Sequence, residues 1–148
     1  MLLSVLLAIS AFLGTALIHL QALRWCSGRM AVIPMPPTVR AMTVIFVLFF
    51  VHLAEIAIYA AAYSFGINTL AIGGFSGESI SGALDLFYFS AITFTSLGIG
   101  DIFPTGHIRF LTGVEALNGL LLLAWSASFL FALMNQLWEW QPCARPNA

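Results

Sequence analysis

Thr95-Ser96-Leu97-Gly98-Ile99-Gly100-Asp101 sets two glycines two residues apart, between long apolar segments on either side. Glycine permits the positive φ with which an extended segment can turn every carbonyl toward one side. Rings of such carbonyls from several chains can replace the hydration shell of a monovalent cation. Just upstream, residues 82–94 are expected to form a helix, with Ser81 as its N-cap and Asp85 opposing the positive helix end. About 13 residues cannot cross a hydrocarbon core of about 30 Å, so a buried helix of this length enters and leaves on one side. Non-helical backbone at that depth persists only where it packs in protein or lines a water-filled path. The C-terminal end of the helix would aim negative potential at the same ion. A Gly-x-Gly taken alone is equally an ordinary glycine turn, and its surroundings decide between the two.

Those surroundings are a membrane protein. Of the 148 residues 61% are hydrophobic and 7% charged, with a mean hydropathy of +1.00, against about 45–50% and about 25% in soluble domains. A water-soluble fold is excluded. Five basic and six acidic residues give a net charge of -1, leaving no basic surface to neutralise phosphates, which argues against nucleic acid as a partner. Cys26 and Cys143 lack metal-ligand spacing and read as unpaired.

Three spans are expected. Residues 1–23 carry no Asp, Glu, Lys or Arg and lack the basic start and small-residue end of a cleaved signal peptide. Residues 41–65 form a second span containing His52 and Glu55, and residues 108–134 a third containing Arg109 and Glu115. The linker 24–40 holds Arg24, Arg29 and Arg40, and its Pro34, Pro36 and Pro37 preclude one continuous helix. By the positive-inside rule this linker is cytoplasmic, which puts the N-terminus and residues 66–107 outside and the tail 139–148, with Arg145, inside. Trp25, Trp138 and Trp140 then sit at the inner interface, and residues 66–80 read as an outer loop. The expected fold is an all-α membrane protein of three transmembrane helices, with a re-entrant pore helix and a filter loop at 95–101 between the second and third. No span has arginine at every third position, as a voltage sensor would.

The stretch resembles the selectivity filter of potassium channels, which runs Thr-x-Gly-Tyr-Gly-Asp after a pore helix. The likeness extends over residues 84–138, where Pro104, Arg109, Glu115-Ala116-Leu117 and Gly119 look like the inner helix of small bacterial two-transmembrane ion channels; His52 and Glu55 also look like that group. This resemblance makes 41–138 a pore domain and leaves 1–23 an additional helix without a family role. It implies that Ser96, Leu97, Gly98, Ile99 and Gly100 supply oxygens to K+ as the permeant ligand, with no cofactor. Asp101 would stand at the outer mouth, or hold the filter through a hydrogen bond, or both. One chain cannot encircle an ion, so a homotetramer in the lipid bilayer is implied. Gly119 aligns with a hinge glycine, although small residues in membrane helices also simply permit close packing. Leu120, Leu123, Ala124, Ala127 and Phe131 fall near one helix face that would line the cavity. Phe131 there would gate by dewetting or fill space between subunits.

Three positions depart from the family pattern: Ser96 for threonine, Leu97 for valine or isoleucine, and Ile99 for tyrosine. Ser96 keeps a hydroxyl, whereas Ile99 loses the phenol that hydrogen-bonds behind the filter. Tyr88 and Phe89 are the nearest large side chains expected to pack there instead. In the spans, His52, Glu55, Tyr59 and Tyr63 share a helical face at a depth close to that of Glu115, predicting a polar seam that either senses protons or statically locks the tetramer. The expected function is a potassium-preferring cation channel of the plasma membrane, or of the inner membrane in a bacterium. A weakly selective cation channel and a non-conducting assembly or sensor subunit are the alternatives. A proton-coupled transporter using Glu55 and Glu115 is less expected, since this sequence shows no second half to form a repeat, and it displays no nucleophile-base set or metal-ligand cluster for an enzyme.

Overall fold

The computed structural model describes residues 1–138; the expectations for Trp140, Cys143, Arg145 and the tail 139–148 lie outside the described residues. Four helices follow in the order α1 (Leu2–Val32), α2 (Pro37–Asn68), α3 (Ala83–Phe94) and α4 (Ile108–Leu137). All but α3 are long and apolar enough to cross a membrane. Helix continues well past the apolar stretches, so the break between α1 and α2 is only residues 33–36 rather than the whole of 24–40. Residues 24–32 contain no proline and nothing stops the helix. Pro34 pushes the residue before it out of helical space, and Ile33 accordingly sits at φ -79, ψ 124. Pro37 then opens α2 at a position where its missing N–H costs nothing. Arg40 Nη2 donates to the Ile33 carbonyl at 3.1 Å, bracing the turn.

A two-stranded antiparallel ribbon, β1 (Gly73–Gly77) with β2 (Ile102–Gly106), lies within the region expected to be loop, so the fold is mostly but not wholly α. Its register runs from Gly73 opposite Gly106 to Gly77 opposite Ile102. Such close pairing depends on glycine at Gly106, where φ is +64 and a Cβ would come within 2.9 Å of the Gly73 Cα. The ribbon ties the segment after α2 to the segment before α4. Everything between β1 and β2, which is α3 and the glycine stretch, is therefore held at that end of the helices.

In lipid, apolar contact between helices has little driving force of its own, and close packing of small residues with buried hydrogen bonds takes its place. Gly119 of α4 meets the backbone carbonyl of Phe94 at the end of α3, so closely that any side chain there would strike it. Ala8 and Ala11 of α1 are buried against the core. Phe75 of β1, Tyr63 of α2 and Phe89 of α3 stack edge to face, with ring centroids 4.6 to 5.6 Å apart. Each pair of this kind adds about 0.5–1.5 kcal/mol. Large apolar side chains on the outer faces, such as Phe46, Phe50, Leu117 and Leu121, are exposed in the single chain.

Candidate functional site

The start of α3 is set by Asp85. Its Oδ2 accepts from the Ser81 amide at 2.7 Å, the Ser81 hydroxyl at 2.9 Å and the Gly82 amide at 3.0 Å. The Ser81 amide is the largest of the causes that hold this carboxyl below its ordinary range. Gly82 rather than Ser81 is the N-cap.

The end of α3 unwinds in steps. The Thr95 amide still donates to Ala91, but the Ser96 amide donates to the Thr93 carbonyl at 2.9 Å and the Gly98 amide to Ile92 at 3.1 Å. Beyond that the backbone alternates: φ is +57 at Ser96, +53 at Gly98 and +82 at Gly100, and is not positive at Leu97 or Ile99. Two of the three positive angles fall on glycine, the residue that adopts them freely. Ser96 does so at a cost of about 1–2 kcal/mol, held between the helix end and the Gly98 bond. Residues 95–100 are all exposed in the single chain, Ile99 at 58%.

Asp101 is tied on every side. Its Oδ2 accepts from the Tyr88 hydroxyl at 2.7 Å and its Oδ1 from the Ile102 amide at 2.9 Å. Its carbonyl accepts from the Glu78 amide at 2.9 Å. The Tyr88 hydroxyl is the main cause that draws the Asp101 carboxyl below its ordinary range, and the same bond pushes the Tyr88 phenol up. Tyr88 thus holds the Asp101 end of the stretch through its hydroxyl. Phe89, the other side chain expected near Ile99, is buried against Tyr63 and Phe75.

On α4, Gly119 is buried under Phe94, Leu123 is half-buried against the core, and Leu120, Ala124, Ala127 and Phe131 are exposed. The expected polar seam divides into separate sets. Glu115 of α4 accepts from the Tyr63 hydroxyl and lies 2.5 Å from Ser90 Oγ of α3. Ser90 Oγ also lies 2.9 Å from the Ile56 carbonyl. A hydroxyl has one proton for these two acceptors, so a protonated carboxyl donating back to Ser90 completes the set. Asn118 Nδ2 donates to Thr15 Oγ1 at 2.7 Å and to the Tyr59 hydroxyl at 3.0 Å. Glu55 has the third set: His19 Nδ1 lies 3.0 Å from Oε1 and His52 Nδ1 2.8 Å from Oε2.

His19 and Thr15 come from α1, the span that carries no family role in the sequence. His19, Glu55, Asn118 and Glu115 are all fully or almost fully buried. One signal pointed to His19: an ionisable side chain inside an apolar span demands a partner.

A family model described as an ion channel matches residues 49–136. The chain belongs to the potassium channel pore-domain family. This ion-channel match begins within α2 and ends in the last turn of α4, and so takes in α3, the glycine stretch and both strands, while α1 lies outside it. No curated protein and no solved structure matches the chain. With three membrane-capable helices among the described residues, this channel-family chain is a multi-pass membrane protein.

Proposed function

We propose that four copies of the chain assemble around a closed axis into a potassium-preferring cation channel, with residues 96–100 as its filter. The observation that carries this is the alternation of backbone hand at Ser96, Gly98 and Gly100 directly after the C-terminus of a short helix. Alternation of this kind points successive carbonyls to one side, and fourfold repetition turns each into a coordinating ring. The helix end contributes negative potential at the same place. In this assembly α4 lies inside and α2 outside, and the exposed Leu120, Ala124, Ala127 and Phe131 face the cavity or the neighbouring subunit. The chain conducts passively, and none of its three spans has the repeated arginines of a voltage sensor.

The test is ion flux from purified protein in liposomes, with K+ compared against Na+. Flux favouring K+ is expected. Flux of both ions alike makes it a weakly selective channel, and flux of neither moves the chain to a non-conducting assembly subunit.

A further inference from the structure

We propose that His19, His52 and Glu55 form a transition-metal site of the Zn2+ type that fastens α1 to the pore helices. Two imidazoles and one carboxylate are a donor set that Zn2+ takes in proteins, with a further position left for water. Here the three converge from two helices: their ligand atoms all lie within 4.8 Å of one another. Donors about 2.0–2.2 Å from a Zn2+ stand roughly 3–3.5 Å apart, so small side-chain movements would seat the ion. Glu55 and His19 are fully buried, while the His52 side chain keeps 15% exposure as a way in.

The orientation of the rings is the stronger argument. Both imidazoles turn the same atom, Nδ1, toward the one carboxylate. Both turn the other atom, Nε2, toward a single hydroxyl, Ser126 Oγ of α4, at 3.0 Å from His52 and 3.3 Å from His19. Metal-bound histidines characteristically donate the second ring N–H to such a partner, which fixes the tautomer. Ser126 Oγ has two lone pairs, one for each Nε2–H, and both Nδ1 lone pairs are then free for the metal.

The protons balance. Without metal, a carboxylate that only accepts requires a proton on each Nδ1. Ser126 has one proton for two Nε2 atoms, so the fourth bond requires one imidazolium. On binding, Zn2+ takes the place of the two Nδ1 protons. One of these is retained as the second Nε2–H and the other leaves. Ionisation of a bound water would release a further proton and bring the site to neutrality. The site also adjoins the pore elements: the His52 ring centroid is 5.9 Å from that of Phe94, whose carbonyl meets Gly119.

The experiment titrates tag-free, full-length protein in lipid nanodiscs with Co2+ as the optical probe and displaces it with Zn2+. One Co2+ per chain is expected, with a low-coordination visible spectrum, no thiolate charge-transfer band and full displacement by Zn2+. His19→Gln should lose this spectrum, Ser126→Ala should weaken binding by about 10- to 100-fold, and His107→Gln should leave it unchanged. Failure of the parent to take up Co2+, a thiolate band, or unaltered binding in His19→Gln would overturn the site. If His19→Gln does not assemble, the parent spectrum and the Ser126→Ala affinity decide, and an unchanged affinity rejects the proposal. Binding is read without ion flux, so this outcome stands apart from whether the chain conducts.

Discussion

The Tyr88 hydroxyl of α3 donates to Asp101 Oδ2 at 2.7 Å, joining this short helix to the end of the glycine stretch. A phenol absent from position 99 is thus supplied from a different element, one residue beyond the proposed filter. Tyr88 is the principal cause of the lowered Asp101 pKa. The direction of the linkage follows: a carboxylate depressed by folding contributes stability above its ordinary pKa of about 3.9, and that contribution is lost as pH falls through the lowered value. In Tyr88→Phe the Asp101 pKa should move up toward the ordinary value, so acid loss of K+ flux begins at higher pH. Carbon NMR of the Asp101 carboxyl in parent and variant measures it, and equal midpoints would contradict the role of Tyr88.

Gly98→Ala and Gly100→Ala should each abolish K+ flux while the protein still inserts and accumulates. Among the described residues, apart from the adjoining ones, no atom lies within 4 Å of a Cβ added at either position, so the penalty is in the backbone. At φ +53 and +82 it amounts to about 1–2 kcal/mol per chain, and a tetramer would carry it four times around one axis. Flux equal to the parent's in either variant removes the filter assignment.

The long apolar helices were legible because a run of about twenty apolar residues has few other outcomes. Their ends were not, since helix propagates through Arg24 and Arg29 until a proline stops it. The ribbon left no trace in Gly73–Gly77, whose composition shows no alternation and whose strand form comes from pairing with β2. Gly98 and Gly100 announced their backbone geometry by residue type, whereas the positive φ of Ser96 had no such signal. Among the buried groups, the helical spacing of His52 and Glu55 gave their shared face. Their remaining partners, His19 and Ser126, come from elements remote in sequence, which no local pattern can reveal.

Glu115 should tolerate an amide better than an apolar residue. A glutamine can donate to Ser90 Oγ and accept from Tyr63, reproducing the hydrogen-bond pattern of a protonated carboxyl. Glu115→Leu removes one hydrogen bond from Tyr63, which keeps Thr112 Oγ1 at 3.2 Å, and one from Ser90, which keeps the Ile56 carbonyl, at about 0.5–1.5 kcal/mol for each bond lost. The expected order of thermal stability in nanodiscs is parent, Glu115→Gln close behind, and Glu115→Leu well below. A glutamine variant as unstable as the leucine variant would show that an ionised carboxylate is required.

Gly119→Ala should destabilise the protein although alanine is the better helix former. Its Cβ would meet the Phe94 carbonyl, and relieving that overlap costs on the order of 1–3 kcal/mol. Gly113 lies on the same helix with nothing within 4 Å of an added Cβ, so Gly113→Ala is the control and should be neutral or slightly stabilising. Melting temperatures of the two variants that fall together would mean that the α3–α4 contact does not depend on the missing side chain.

Ile99 is where the proposed filter is least restrained. Ser96 and Gly98 are bound to the last turn of α3 through the Thr93 and Ile92 carbonyls, and Asp101 is bound to Tyr88, Ile102 and Glu78. Between these anchors Ile99 presents an exposed apolar side chain that cannot hydrogen-bond. A tyrosine there would add one bond of about 0.5–1.5 kcal/mol net per subunit. If selectivity depends on holding the carbonyl cage at a fixed size, the parent should prefer K+ over Na+ by less than Ile99→Tyr does; if it depends on the number and field of the carbonyls, the two should match. With anchors on both sides but none in the middle, the first outcome is expected. Reversal potentials under bi-ionic K+/Na+ conditions decide it, and a parent already as selective as the tyrosine variant would reject a fixed-cage account of this filter.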